Sequence, residues 1–178
     1  PPLTDIGFRQ AELVARHLAN GIDHETAPIE GQGTDAPAGM GIEKLYCSAM
    51  LRALQTATAI GRALNLRPHV WVDVHEEGGM WLDHGAQDGI RGYPGLTRAE
   101  LASQFPDCVL PEEITQQGWW TYGQEERDPF LARAARVAAQ LRADATRDMR
   151  VAIVTHGGFG AYLLRELVGA PRTANVFF

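Results

Sequence analysis

The hydrophobic residues of this chain alternate between short apolar runs and longer segments with a helical period. The apolar runs at 44–47, 69–73 and 151–154 predict strands, and the intervening segments, apolar at every third or fourth residue, predict helices. Strands that alternate with helices are typical of a parallel or mixed sheet covered on both faces. We therefore predict an α/β protein, a three-layer α/β/α sandwich with a mostly parallel sheet, forming one domain over residues 1–178.

Capping residues, glycine and proline mark where the predicted helices begin and end. In the first helix, capped by Thr4, the predicted buried face carries Ile6, Ala11, Val14 and Leu18. The helices are predicted over residues 5–19, 48–64, 129–143 (capped by Asp128) and 157–167, with a short helix after a capping box at 97–100. A polar loop is expected at 21–41 and a last strand at 175–178.

Residues 77–127 differ from the rest of the chain in composition and in the spacing of their apolar residues. Glycine and tryptophan are frequent there, and the apolar period breaks. We interpret this region as an insertion that lies over the edge of the sheet as a lid.

A histidine follows the last apolar run. His156 ends the predicted buried strand 151–154, and Gly157 and Gly158 lead into the next helix. The carboxyl edge of an α/β sheet is where ligands bind, and a helix N-terminus there offers free N–H groups to an anion. His156 is therefore a candidate phosphate ligand, although a strand-end histidine can also be purely structural.

Arg52 and two glutamates are the other candidates. Arg52 lies one turn into the second helix, so its guanidinium could reach back to the same sheet edge and hold a phosphate with two hydrogen bonds. Glu76 and Glu77 follow the strand 69–73, where a carboxyl group beside a phosphate could serve as a general acid. The alternative for each is a solvated surface residue.

Composition narrows the class of protein. The 178 residues are 45% hydrophobic, as in ordinary globular proteins, and their net charge of −6 disfavours a nucleic-acid surface. No apolar run approaches a membrane span and no signal peptide is visible. Cys47 and Cys108 form neither a disulfide framework nor a metal spacing, so a reduced, cytoplasmic location is expected. The histidines and acids between 73 and 88 lack a firm ligand spacing, and no metal or other cofactor is expected.

Four segments in order resemble the histidine phosphatase superfamily, which has the phosphoglycerate mutase-like fold. Residues 3–11 resemble its Leu-Thr-x-x-Gly-x-x-Gln-Ala helix start, and 48–57 its Ser-x-x-x-Arg-Ala-x-Gln-Thr-Ala segment. Residues 76–79 fall where the family has its acidic residue, and 155–158 match its second histidine motif. The resemblance covers nearly the whole chain.

The resemblance implies phosphoryl transfer through a phosphohistidine intermediate. It makes His156, Arg52 and Gly157 phosphate ligands and Glu76 the acid, with Glu77 as its rival. The family's nucleophile lies in an Arg-His-Gly motif upstream of the 3–11 segment. The sequence begins Pro1-Pro2-Leu3, so we expect that motif to precede Pro1 in a longer natural protein.

Three kinds of function remain open at this point. The favoured one is hydrolysis of a small-molecule phosphate monoester, with phosphoglycerate mutase as the alternative and an assembly as a homodimer left open. A second is a non-catalytic phosphate-binding module without a nucleophile. The third is a metal-dependent hydrolase that uses His75 and His84.

Overall fold

A computed structural model describes residues 1–21, 39–145 and 149–171. Most of the predicted loop at 21–41 and the predicted strand at 175–178 lie outside this part of the chain. In the described ranges no helix combines the length and apolarity that a membrane span requires. In chain order the elements are α1 (Asp5–Asn20), β1 (Lys44–Cys47), α2 (Leu51–Leu64), β2 (His69–Val70), β3 (Trp81–Asp83), β4 (Ile90–Gly92), α3 (Arg98–Gln104), α4 (Arg127–Asp144), β5 (Val151–Val154) and α5 (Gly157–Val168).

Three parallel strands form the central sheet in the order β2–β1–β5. In its register, Tyr46 of β1 pairs with His69, and Cys47 pairs with Val154 of β5. Because the strands are parallel, the segments that follow β1, β2 and β5 all leave from the same edge of the sheet. Strands β3 and β4 form a separate antiparallel hairpin.

Helices cover both faces of the central sheet. On one face, Leu45 packs with Ala15 of α1 and Ile60 of α2. On the other, Ile153 packs against the cluster that contains Phe130 of α4 and Phe159 of α5. Adjacent strand residues face opposite sides, so one strand contributes to both cores. The predicted three-layer α/β/α arrangement is confirmed.

Several predicted boundaries were wrong. Helix α2 begins at Leu51, because Ser48 is held in the preceding loop, where its Oγ accepts a hydrogen bond from the Met50 N–H at 3.2 Å. Strand β2 ends at Val70, and a 3₁₀ turn over Val72–Val74 replaces the rest of the predicted strand 69–73. Helix α4 begins at Arg127 with Glu126 as its N-cap, so Asp128 lies within the first turn.

The buried face of α1 also differs from the prediction. Ile6 and Val14 are 66% and 46% exposed, whereas Ala11 and Ala15 are buried. The small alanine side chains let α1 approach α2 closely, and the Leu3 N–H donates to Gln55 Oε1 at 2.8 Å. Strand β5 is likewise only half-buried, because β1 is its one neighbouring strand among the described residues.

The region 77–127 contributes to the core as well as to the surface. Leu101, Ile114, Trp119 and Trp120 are all buried against residues of α2 and the preceding loop, including Leu54. The capping box is present as predicted, with Thr97 and Glu100 each bonded to the other's backbone N–H. The proposed role of this region as a lid stays a prediction.

The close contact of α1 with the sheet can be tested at Ala15. Replacing Ala15 by leucine should lower the free energy of unfolding by about 1–3 kcal/mol, because extra methylene groups must fit between α1, Leu45 and Ile60. Urea denaturation measures the change. Val14→Leu on the adjacent exposed position is the control and should stay within about 0.5 kcal/mol. Equal effects at both positions would contradict the observed orientation of α1.

Candidate functional site

The site forms where β1 and β5 end side by side. Cys47 pairs with Val154, so Ser48 and His156 leave the sheet next to each other. Ser48 Oγ lies 2.9 Å from His156 Nε2. Ser48 is fully buried and His156 is 8% exposed, which makes this a desolvated contact between residues 108 positions apart.

The hydroxyl of Ser48 can set the tautomer of the imidazole. Its Oγ already accepts from the Met50 N–H, which leaves its O–H proton to donate to His156 Nε2. The neutral ring then carries its own proton on Nδ1. In the part of the chain that the structure describes, Nδ1 has no hydrogen-bond partner and is the nitrogen left for a ligand.

The surroundings of His156 favour its neutral form. The pKa of His156 is lowered to about 4. Burial is the largest cause, and the positive charge of Arg52 is the second. The carboxylate of Glu76 acts in the opposite direction, and the charges of His75 and Arg133 add to the lowering. Arg52, in the first turn of α2, is close enough for its charge to act on the ring, and its role as a phosphate ligand stays a prediction.

Glu76 lies at the start of α5. Its Oε1 accepts hydrogen bonds from the Phe159 N–H at 2.9 Å and from the Glu77 N–H at 3.0 Å. Gly158 makes this approach feasible, because a Cβ at that position would lie 2.6 Å from the same oxygen. Among the described residues, Oε2 of Glu76 has no hydrogen-bond partner and is available to a ligand at the first turn of α5.

The structure separates the two candidate acids. Glu77 is 43% exposed at its side chain and forms an ion pair with Arg127 at 3.5 Å. Glu76 instead contacts the first turn of α5, which begins with Gly157 directly after His156. Glu76, His156 and Gly157 thus lie together at one edge of the sheet, with the charge of Arg52 acting on the imidazole, whereas the carboxylate of Glu77 is paired with Arg127.

A buried arginine that sequence reasoning missed holds the loop of Glu76. Arg133 of α4 is 2% exposed. Its Nη1 donates to the carbonyls of Asp73 and His75 at 2.8 and 2.9 Å, and its Nη2 donates to the carbonyl of Glu76 at 3.4 Å. Its Nε and Nη2 also bind the two carboxylate oxygens of Glu125 at 2.8 and 2.6 Å. Arg133 therefore ties the loop at 73–76 to the region 77–127.

Glu125 is ionised in this contact. Burial by itself would raise the pKa of Glu125, but the hydrogen bonds from Arg133, the charge of Arg133 and the nearby imidazole of His75 lower it to about 2. No sequence signal distinguishes Arg133, since it stands in a helix rich in alanine and arginine, and nothing marks Glu125 among its acidic neighbours.

His75 and His84 have separate surroundings. His75 is buried, with Nδ1 2.6 Å from the Val72 carbonyl oxygen and Nε2 3.7 Å from Glu125 Oε2. His84 is exposed and bonds the Tyr93 hydroxyl at 2.7 Å. Within the described ranges, no group of three histidine, cysteine or acidic side chains is placed to hold a metal ion.

The family is established by sequence. The profile of the histidine phosphatase superfamily (branch 1) matches residues 34–175, and the chain belongs to this superfamily. The predicted superfamily is thereby confirmed, and three of the four motifs, at 48–57, 76–79 and 155–158, lie within the matched residues. No curated protein matches the sequence.

Solved structures share the fold at low sequence identity. A mycobacterial glucosyl-3-phosphoglycerate phosphatase is 23% identical with a TM-score of 0.50, and the match covers 96% of this chain and 69% of that one. The ecdysone phosphate phosphatase of Bombyx mori, solved with tungstate, is 20% identical with a TM-score of 0.58, covering 98% and 59% of the two chains. The mycobacterial enzyme has also been solved with VO3, at 21% identity, a TM-score of 0.53 and coverage of 96% and 71%.

The buried, neutral state of His156 predicts a pH dependence of stability. In the unfolded chain His156 is protonated near its ordinary pKa of 6.5, whereas in the folded protein its pKa is about 4. As the pH falls across this window, the free energy of unfolding should drop by up to about 1.4 kcal/mol per pH unit. Urea denaturation from pH 7 to 4 measures it. His156→Asn should show a shallower dependence, and the exposed-helix control His17→Asn should keep the original one; an unchanged slope in His156→Asn would contradict the prediction.

Removing Arg133 should destabilise the protein strongly. Arg133→Ala leaves the Glu125 carboxylate and three loop carbonyls without their donor, so we expect a loss of about 3–5 kcal/mol in the free energy of unfolding. Chemical denaturation measures the loss. Arg136→Ala, three residues along α4 and 61% exposed, is the matched control and should change stability by under about 0.5 kcal/mol. A small effect at Arg133 would show that the loop is held by other contacts.

Proposed function

We propose that this protein hydrolyses phosphate monoesters through a phosphohistidine intermediate. The observation that carries the proposal is the placement of His156 and Glu76 at the first turn of α5, with Arg52 near enough for its charge to act on the imidazole. His156 Nδ1–H, the Arg52 guanidinium and the N–H groups at Gly157 would hold the phosphoryl oxygens. No bound metal is required in this scheme, since these groups supply the positive charge that the transferring phosphoryl group needs.

The proposed reaction has two steps, phosphoryl transfer to a histidine and hydrolysis of the phosphohistidine. An attacking histidine nitrogen forms a bond to phosphorus as the ester P–O bond breaks, and Glu76 gives its proton to the departing alkoxide. Water then loses a proton to the same carboxylate and bonds to phosphorus as the P–N bond breaks, which returns the electron pair to the histidine nitrogen and releases inorganic phosphate. The sequence 1–178 contains no Arg-His-Gly triplet, so the proposal places the attacking histidine outside these residues.

The arginines of the region 77–127 favour hydrolysis over mutase action. A mutase must enclose a phosphorylated product in a basic pocket until the phosphoryl group returns. Here Arg91 pairs with Asp88 on the exposed hairpin at 2.9 Å, and Arg98 donates to backbone carbonyls, among them Pro111 at 2.7 Å. The two neighbouring tryptophans of this region, Trp119 and Trp120, pack in the core.

The activity test compares two reactions of the full-length protein. We expect release of inorganic phosphate from 4-nitrophenyl phosphate and little conversion of 3- to 2-phosphoglycerate. Arg52→Ala and His156→Ala should each lower kcat/KM by about 10²–10³-fold, because each removes charge or hydrogen bonding from the phosphoryl oxygens. Arg62→Ala, exposed on the same helix, is the control. Fast isomerisation with little free phosphate would make the protein a mutase, and near-normal rates in both variants would refute the site.

The non-catalytic alternative has its own measurement. A phosphate-binding module would bind tungstate in calorimetry and lose that binding in His156→Ala, yet it would turn over no ester. Tungstate binding together with phosphate release supports the enzyme.

A single methyl group at Gly158 should test the placement of Glu76. Gly158→Ala puts a Cβ 2.6 Å from Glu76 Oε1, so the carboxylate must move away from the Phe159 N–H. We expect kcat to fall by about 10–100-fold, as for a displaced general acid. Gly160→Ala, in the same helix, is the matched control, since a Cβ there would make only an ordinary van der Waals contact, with Thr155 Cγ2 at 3.6 Å. Equal activity of the two variants would argue against Glu76 as the acid.

A further inference from the structure

A cleft of about 610 Å³ opens on the far side of Glu76. It is bounded by the loop after Glu76, the first residue of β3 and the segment that leads into α4. Residues that matter for its chemistry are Glu76, Glu77, Trp81, Glu125, Glu126 and Arg127.

The walls of this cleft are negatively charged. Four carboxylates line it against one guanidinium, that of Arg127. Arg127 is already engaged, with Nη1 3.5 Å from Glu77 Oε1 and Nη2 donating to the Tyr162 hydroxyl at 2.7 Å. The carboxylate of Glu125 is neutralised by Arg133 from behind the wall. Glu126 has no cation beside it among the described residues, and its charge would repel an anion that entered the cleft.

One wall is aromatic. Trp81 is half-buried, and its indole lies against Gly78, where an added Cβ would come within 2.5 Å of Trp81 Nε1. The cleft therefore combines an apolar face with acidic rims, which suits a neutral molecule with a ring or other apolar surface.

The cleft and the phosphate site share residues. Glu76 and Gly158 line the cleft, and the same two residues meet at the first turn of α5. A phosphoryl group held beside His156, with its ester oxygen directed at Glu76, would place the alcohol part of the ester in this cleft.

We propose that the cleft selects phosphate monoesters whose alcohol part carries no negative charge and presents an apolar or aromatic face. This inference rests on the proposed phosphatase function and names its substrate class. Esters with a carboxylate or a second phosphate, phosphoglycerates among them, are disfavoured because their extra charge would lie among the carboxylates of the cleft.

The kinetic test uses the full-length protein and substrates that differ in the charge of the alcohol part. We expect kcat/KM for phenyl phosphate to exceed that for 3-phosphoglycerate by at least about tenfold. Glu126→Lys, which reverses one wall charge, should narrow this ratio at least about threefold by improving 3-phosphoglycerate. Glu113→Lys, exposed and outside the cleft, makes the same charge change and should leave the ratio unchanged. A preference for 3-phosphoglycerate, or equal shifts in the two variants, would overturn the inference.

A binding measurement separates this inference from the proposed activity. Calorimetry with phenylphosphonate and 3-phosphonopropionate, which are not hydrolysed, should show tighter binding of the aromatic ligand and a smaller difference in Glu126→Lys. If the protein binds phenylphosphonate more tightly but turns over no ester, the phosphatase proposal is contradicted. The selectivity of the cleft is then still supported. Phosphate release combined with preferred binding of 3-phosphonopropionate would overturn the selectivity alone, and absence of binding by both would overturn both.

Discussion

The parallel pairing of β1 with β5 is the constraint on which the candidate site depends. The register that sets Cys47 opposite Val154 brings Ser48 and His156 off the sheet together, so that a hydroxyl and an imidazole meet at 2.9 Å in a desolvated position. A shift of either strand by one residue would turn that strand's side chains to the opposite face and separate the two groups. The apolar residues of β1 and β5, packed into helices on both faces, hold this register.

The buried ion pair of Arg133 and Glu125 fixes the position of the loop of Glu76, as the sheet fixes the position of His156. This loop has left the regular ladder after β2, and its carbonyls find their donors in Arg133. Glu125 compensates the charge of Arg133, so the guanidinium is not left as an unpaired charge in the interior. Thr155, beside His156, adds a hydrogen bond to the Val74 carbonyl at 2.7 Å. Glu76 and His156 are therefore positioned by one connected framework.

Charge is distributed unevenly around this framework. Positive and donor groups, namely Arg52, His156 and the start of α5, lie on the side where we propose that a phosphoryl group binds. Carboxylates dominate on the side where the alcohol part of an ester would lie. The histidine phosphatase superfamily supplies the fold for both sides, whereas the acidic wall comes from the region 77–127 and the loop before it.

Periodicity and motif order in the sequence determined the fold class, the family and most of the candidate site. Strand and helix patterns are local, and Arg52, Glu76 and His156 each follow a predicted strand toward one sheet edge. Local pattern could not show that α1 buries Ala15 rather than Val14, since that depends on how closely two helices pack. Nor could it find Arg133, Glu125 or the Ser48 contact, or choose between Glu76 and Glu77. These depend on which distant groups meet when the layers close, and only the tertiary structure decides that.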